Sequence, residues 1–257
     1  MTHADTKSSG ARSEASSAVF DRLAELGFEK RSRLGALIWE GSYQGRATTL
    51  AISRQSRTRN RGQTRRQHLG WRLRIVMGCG VMTRLFFVRQ SVTRWRVLRW
   101  IYRLKKQHVI ENMPAVLEGF HVIARDADWG RDLLRNQATM LRVASLLTER
   151  SSERLRGSVY FQPERLHYGS GLLQPKDIDT PWVESVLERT AQIADSAERL
   201  PAPQVQDRTA RLERLSRKQP LLVGVLLLSA ILVGLLILIA LVMGSFLLVA
   251  WGLSELR

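Results

Sequence analysis

Residues 36–53 read ALIWEGSYQGRATTLAIS, and this stretch decides the fold class. Two strand-like runs, Ala36–Tyr43 and Arg46–Ser53, flank Gln44–Gly45, a connection short enough for a tight hairpin. Upstream, Val19, Phe20, Leu23 and Leu26 mark one side of a short helix that Gly27 ends. Met1 to Ser16 is polar and reads as a disordered tail. Downstream, Arg54 to Gln67 reads as a hydrophilic loop carrying Arg54, Arg57, Arg59, Arg61, Arg65 and Arg66. Strands resume at His68–Met77, where Leu69, Trp71, Leu73 and Ile75 alternate with Arg72 and Arg74, and again at Leu85–Gln90. Such alternation gives one packed face and one basic face.

The second half mixes both periods. Gly119–Ala124 reads as a strand. Asp126–Arg150 reads as one or two helices with Trp129, Leu133, Leu134, Met140, Leu141, Ala144 and Leu147 as a core stripe. Gly157–Gln162 and Arg165–Leu173 form a second hairpin about Pro163–Glu164. Thr180 is the expected cap of a helix opening on Pro181, with Val183, Val186, Leu187, Thr190, Ile193 and Ala197 inward. Pro201–Pro203 ends it. The expected fold class is α+β: an antiparallel sheet of hairpins packed with helices, plus one C-terminal transmembrane helix. The expected division is a tail over 1–16, an α+β domain over 17–200, a charged juxtamembrane linker over 201–219, the span over 220–251 and a short tail over 252–257.

The hairpin tip Gly41-Ser-Tyr-Gln-Gly-Arg46 is similar to a G-x-Y-x-G-R feature of an uncharacterised prokaryotic α+β domain family. A strand followed by an Asp-led helix (Phe120–Leu134), a hairpin around Tyr160–Leu166 and a closing helix (Val183–Leu200) also fit. The likeness covers residues 20–200 and implies a fold, with no activity attached.

Charge is concentrated. The chain carries a formal +17 over 257 residues. Residues 41–110 hold 17 Arg and Lys and no Asp or Glu, whereas the flanking segments are each neutral. Genome composition accounts for Arg outnumbering Lys 34 to 6, but not for the missing acids. A field of this kind attracts polyanions. Within it, Val92–Gln107 has helical period, with Arg96, Arg99, Arg103 and Lys106 on a narrow arc. Val97, Leu98, Ile101, Tyr102 and Leu104 take the other side, and Trp95 and Trp100 sit at the borders. That pattern suits an interfacial helix; it equally suits a helix covering the sheet with its charges in water.

From Pro220 to Trp251 no residue is charged. A membrane-crossing helix needs ~20 apolar residues, and two crossings do not fit into this run. Arg208, Arg211, Arg214, Arg217 and Lys218 precede it, so the positive-inside bias puts residues 1–218 in the cytoplasm of a single-pass cell-membrane protein. Ala230, Gly234, Ala240 and Gly244 form two small-xxx-small pairs suited to helix packing against a membrane-protein partner.

Catalytic motifs are weak. Asp126-Ala-Asp128, near His121 and Asp132, has the D-x-D form of a metal–diphosphate site but also that of a helix cap. Cys79 lacks a base partner, and Gly78-Cys-Gly80 and Gly169-Ser-Gly171 lack the spacing of phosphate loops. Glu111 and Glu118 read as surface charges. No catalytic residue, cofactor or metal is expected. The expected function is a non-enzymatic, membrane-anchored cytoplasmic domain whose basic surface binds anionic lipid headgroups or an acidic partner. The alternatives are an accessory subunit of a membrane complex, or a membrane-tethered nucleic-acid binder with Trp71, Trp95 and Trp100 stacking on bases.

Overall fold

The hairpin at residues 36–53 is the seed of one large sheet. The computed structural model describes residues 18–33, 36–61, 63–89, 102, 106–110, 113–150 and 157–207. A helix over 18–25 (α1) leads into β1 (Glu29–Arg33), β2 (Ala36–Tyr43), β3 (Arg46–Arg61), β4 (Gln63–Gly78), β5 (Leu85–Arg89), β6 (His108–Ile110) and β7 (Phe120–Ala124). There follow α2 (Ala127–Arg135), α3 (Gln137–Thr148), β8 (Ser158–Gln162), β9 (Arg165–Gly169) and α4 (Thr180–Glu198). The nine strands form a single sheet in the order β1-β2-β3-β4-β9-β8-β5-β7-β6. Every pairing is antiparallel.

Local chemistry explains the elements. Gln44 (φ 50°) and Gly45 (φ 76°) both adopt the left-handed region, as a two-residue hairpin turn requires. Asp126, Asn136 and Asp179 each accept, through a side-chain oxygen, the backbone N–H three residues on, capping α2, α3 and α4. The cap of α4 is therefore Asp179, one residue before the expected Thr180. Thr180 is already helical, because the carboxylate is the stronger acceptor for the Trp182 N–H.

One face of the sheet carries the core. Leu50 and Ile52 on β3, Leu73, Ile75 and Met77 on β4, and Phe161 on β8 are buried. Against them lie Val183, Val186, Leu187 and Ile193 of α4, Val143 and Leu147 of α3, and Trp129 of α2. The Trp129 ring meets Phe161 edge-on at 5.7 Å. Gly130 lets α2 press close: a Cβ there would lie 2.8 Å from Ile110 Cδ1. Trp71 belongs to this inner side too, lining an apolar cavity of about 270 Å³ with Phe20, Leu37, Ile52 and Ile178.

Three expectations are corrected. First, Arg54–Gln67 is not a loop. The β3–β4 ladder continues through Arg57↔Gln67 and Arg59↔Arg65 to Arg61↔Gln63, with a bulge after Gln55. The run has no Pro and a single Gly, Gly62, so nothing interrupts the strands before that residue. Second, β1 and β6 are strands that the sequence reading omits. Third, the expected fold class fails in its membrane part: among the described residues no helix is long and apolar enough to cross a membrane. The longest described helix, α4, has 19 residues and carries Glu184, Glu188, Arg189, Asp195 and Glu198, which no hydrocarbon core would accept. Among the described residues the fold is a nine-stranded antiparallel sheet with four helices; residues 220–251, with Ala230, Gly234, Ala240 and Gly244, lie outside the described residues.

Candidate functional site

On the face of the sheet opposite the core, Arg31 and Glu40 pair at the β1–β2 edge, while the arginines of β4 stand in a depression with no acidic lining. Pleating alternates side chains, so with Leu73 and Ile75 inward, Arg72 and Arg74 of β4 point outward. Register brings β9 beside them, with Arg74↔Gly169 and Val76↔His167, and β8 beyond, with Tyr160↔His167. Phe86 of β5 then pairs with Tyr160. These residues surround a depression of about 500 Å³ lined by Arg72, Arg74, Ser158, Tyr160, His167 and Gly169, and none of its lining residues is acidic.

Its two walls differ. On one side the rings form a ladder: Tyr160 and His167 stack at 4.5 Å and 8°, and Phe86 stacks on Tyr160 at 5.7 Å and 19°. On the other, Arg72 is half-buried and its Nε donates to the Ser170 carbonyl at 3.0 Å, fixing the guanidinium. Burial, then the neighbouring Arg74 charge, lowers the Arg72 pKa from its ordinary value. Gly169 forms the floor, where a Cβ would stand 2.8 Å from Ser158 Oγ and 3.8 Å from Arg72 Nε.

The expected anion-binding residues do not all come together. Positions 57, 59 and 61 share the pleat phase of Ser53, which pairs with Arg72, and Arg65 pairs with Arg59. The bulge after Gln55 is what brings position 65 into that phase, since it adds one residue to β4. Arg54, which is exposed, and position 66 have the opposite phase. Arg96, Arg99, Arg103, Trp95 and Trp100 lie outside the described residues. Lys106 is exposed and sits in a turn, not on a helix face. Its φ is 51°, and the next residue, Gln107, donates its N–H to the Tyr102 carbonyl at 2.9 Å. The residues the sequence reading missed are Tyr160, His167 and Gly169. They lie some 90 positions from Arg72 and Arg74, whose outward alternation was the one local signal.

Elsewhere the motifs are structural. Arg46, the last residue of the G-x-Y-x-G-R feature, bonds Glu198 at 2.7 and 2.6 Å, Asp195 at 2.5 Å and the Gly78 carbonyl at 3.2 Å. Glu198 also accepts the Gly80 N–H, so the motif clamps the first hairpin to the end of α4. Asp126 is a buried cap whose second oxygen accepts the Val205 N–H at 3.1 Å. Burial pushes its carboxyl up, but the N–H groups of Trp129, Val205, Gln204 and Asp128 outweigh this and hold it below the ordinary value. Asp128 is exposed and pairs with Arg131. Among the described residues no group of three or more His, Cys, Asp or Glu is arranged to hold a metal ion.

No family model matches the chain, and no curated protein or solved structure matches it.

Proposed function

We propose that the protein is a non-enzymatic domain whose outward sheet face binds the anionic headgroup layer of a bilayer. The observation that carries this reading is Arg72: a half-buried guanidinium beside a second arginine, in a depression lined by no carboxylate. Keeping two like charges together on a partly desolvated face is unfavourable unless a counter-charge arrives from outside. The 70 residues around it, which lack any acid, extend the same field. The uncharged run Pro220–Trp251 favours lipid as the source of that counter-charge, because it gives the same chain an affinity for apolar phases. Each Arg held near an anionic leaflet is worth ~1 kcal/mol, so a few suffice.

The test keeps the full chain in neutral-detergent micelles and dopes them with phosphatidylserine or phosphatidylcholine, reading binding by calorimetry. Phosphatidylserine should bind, the zwitterionic lipid should not, and the difference should shrink as salt rises. A single-stranded oligonucleotide that binds more tightly than phosphatidylserine at physiological salt would replace this reading with the nucleic-acid one. Failure of both ligands at low salt would leave docking to an acidic protein, as the accessory subunit of a membrane complex, in its place.

A further inference from the structure

The depression on the outward face has more definition than diffuse charge requires. Diffuse attraction needs only exposed, mobile cations. Here one guanidinium is held in place by its Nε bond to Ser170. The strand beneath it is thinned to a glycine, which lets the Arg72 guanidinium lie against the sheet, its Nε and Nη2 3.8 and 3.9 Å from where a Gly169 Cβ would be. Beside the floor are the Ser158 hydroxyl and, across it, the stacked Tyr160–His167 pair. Arg74 is exposed at the rim, two residues from Arg72 on the same face. With its Nε engaged by Ser170, the fixed guanidinium presents its Nη donors to the oxygens of a tetrahedral anion, while the Ser158 hydroxyl donates to the Gly169 carbonyl at 3.4 Å.

We propose that this depression is a discrete phosphate subsite, with the phosphoryl group held against the Arg72 and Arg74 guanidinium groups and facing the Tyr160–His167 pair. This deepens the headgroup reading by naming the ligand class: a phosphomonoester, which bares three oxygens, in preference to a phosphodiester or a carboxylate. The chemistry is shared by a lipid such as phosphatidic acid and by free phosphate. The low Arg72 pKa, produced by burial and by Arg74, agrees with a site that gains from an anion.

The full chain in neutral-detergent micelles is titrated with inorganic phosphate, and separately with micelles doped with phosphatidic acid or phosphatidylserine. The wild type should bind phosphatidic acid more tightly than phosphatidylserine. Arg72→Gln should weaken the phosphatidic acid interaction by about tenfold or more, the scale of a lost charge-assisted bond. Gly169→Ala should do the same by displacing the Ser158 hydroxyl and the Arg72 guanidinium that its methyl would meet, and Arg74→Gln, at an exposed position, gives a variant that folds whatever the first two do. Arg199→Gln, at the residue that follows α4, serves as the control and should change nothing. Inorganic phosphate bound by the wild type and lost in Arg72→Gln, with both lipids unaffected, would support the subsite and assign it to a free phosphate. Equal binding of both lipids with no effect at Arg72, Arg74 or Gly169 overturns the subsite while leaving the charged-face reading intact. Binding to neither lipid nor phosphate overturns both.

Discussion

Arg46 shows how one side chain can decide whether two distant elements stay together. Its guanidinium is 16% exposed and bridges Asp195 and Glu198 on α4 with the Gly78 carbonyl of β4. Replacing it with Met leaves two carboxylates crowded and the Gly78 carbonyl without that donor. After allowance for the solvent that screens these partly exposed acids, Arg46→Met should cost about 1–2 kcal/mol in urea unfolding. The pH dependence has a definite sign. Arg46's hydrogen bond lowers the Glu198 carboxyl below its ordinary 4.5, so this contribution is full above that value and is lost as pH falls through the lowered one. The stability gap between wild type and Arg46→Met should therefore close on acidification; a gap unchanged down to the acid limb would show that the pair is not linked to folding. Cys79 lies under the same clamp, 4% exposed, and burial pushes its thiol up to about 12. In the folded protein a thiol reagent should modify it no faster than the protein opens, and in urea at once.

At the scale of elements, α2 is held by one carboxylate doing two jobs. Asp126 caps the helix through the Trp129 N–H and fastens the strap at Val205 that leaves α4. Asp126→Ala should lose the cap, about 1 kcal/mol, and additionally strand a part-buried N–H, for a total near 2 kcal/mol in thermal unfolding. Asp128→Ala, exposed and paired only with Arg131, should shift stability by less than about 0.5 kcal/mol. A loss at Asp126 of only a cap's worth, about 1 kcal/mol, would mean that the strap bond contributes nothing. The cap was legible in the sequence because an acid before a helical stripe has a local meaning. So were the hairpin at 36–53, the strand at 120–124 and the Pro163–Glu164 turn, each written in adjacent residues. The extension of β3 and β4 was not, since an arginine-rich run looks like a loop until its partner strand is known. Nor was the neighbourhood of Arg72: β9 and β8 reach β4 only through sheet order, and a glycine such as Gly169 carries no signal until something is seen to stand over it.

On the scale of the whole molecule, what matters is where the charge of +17 is exposed, more than its size. Helices α1 to α4 pack on the core side of the sheet, and many of their arginines are spent on neighbouring acids: Arg22 on Glu184, Arg131 on Asp128, Arg135 on Asp132, Arg189 on Glu149. The outward face has Arg72 and Arg74 in a setting lined by no acid, with Arg165 in the same pleat phase on β9. Two effects are then separable by experiment. If binding follows net charge, reversing any two arginines weakens it equally; if it follows the face, position decides. Arg74→Glu with Arg165→Glu and Arg131→Glu with Arg135→Glu change the net charge by the same amount. The first pair should abolish most binding to phosphatidylserine-doped micelles, while the second should leave it within about twofold, since those charges face away and are screened beyond ~10 Å at 0.1 M salt. Raising salt should then erase the wild-type advantage over the first pair, because the screening length falls to ~3 Å at 1 M and a charged face loses its reach. Equal losses in the two double variants would return the interaction to bulk charge and take the outward face out of the argument.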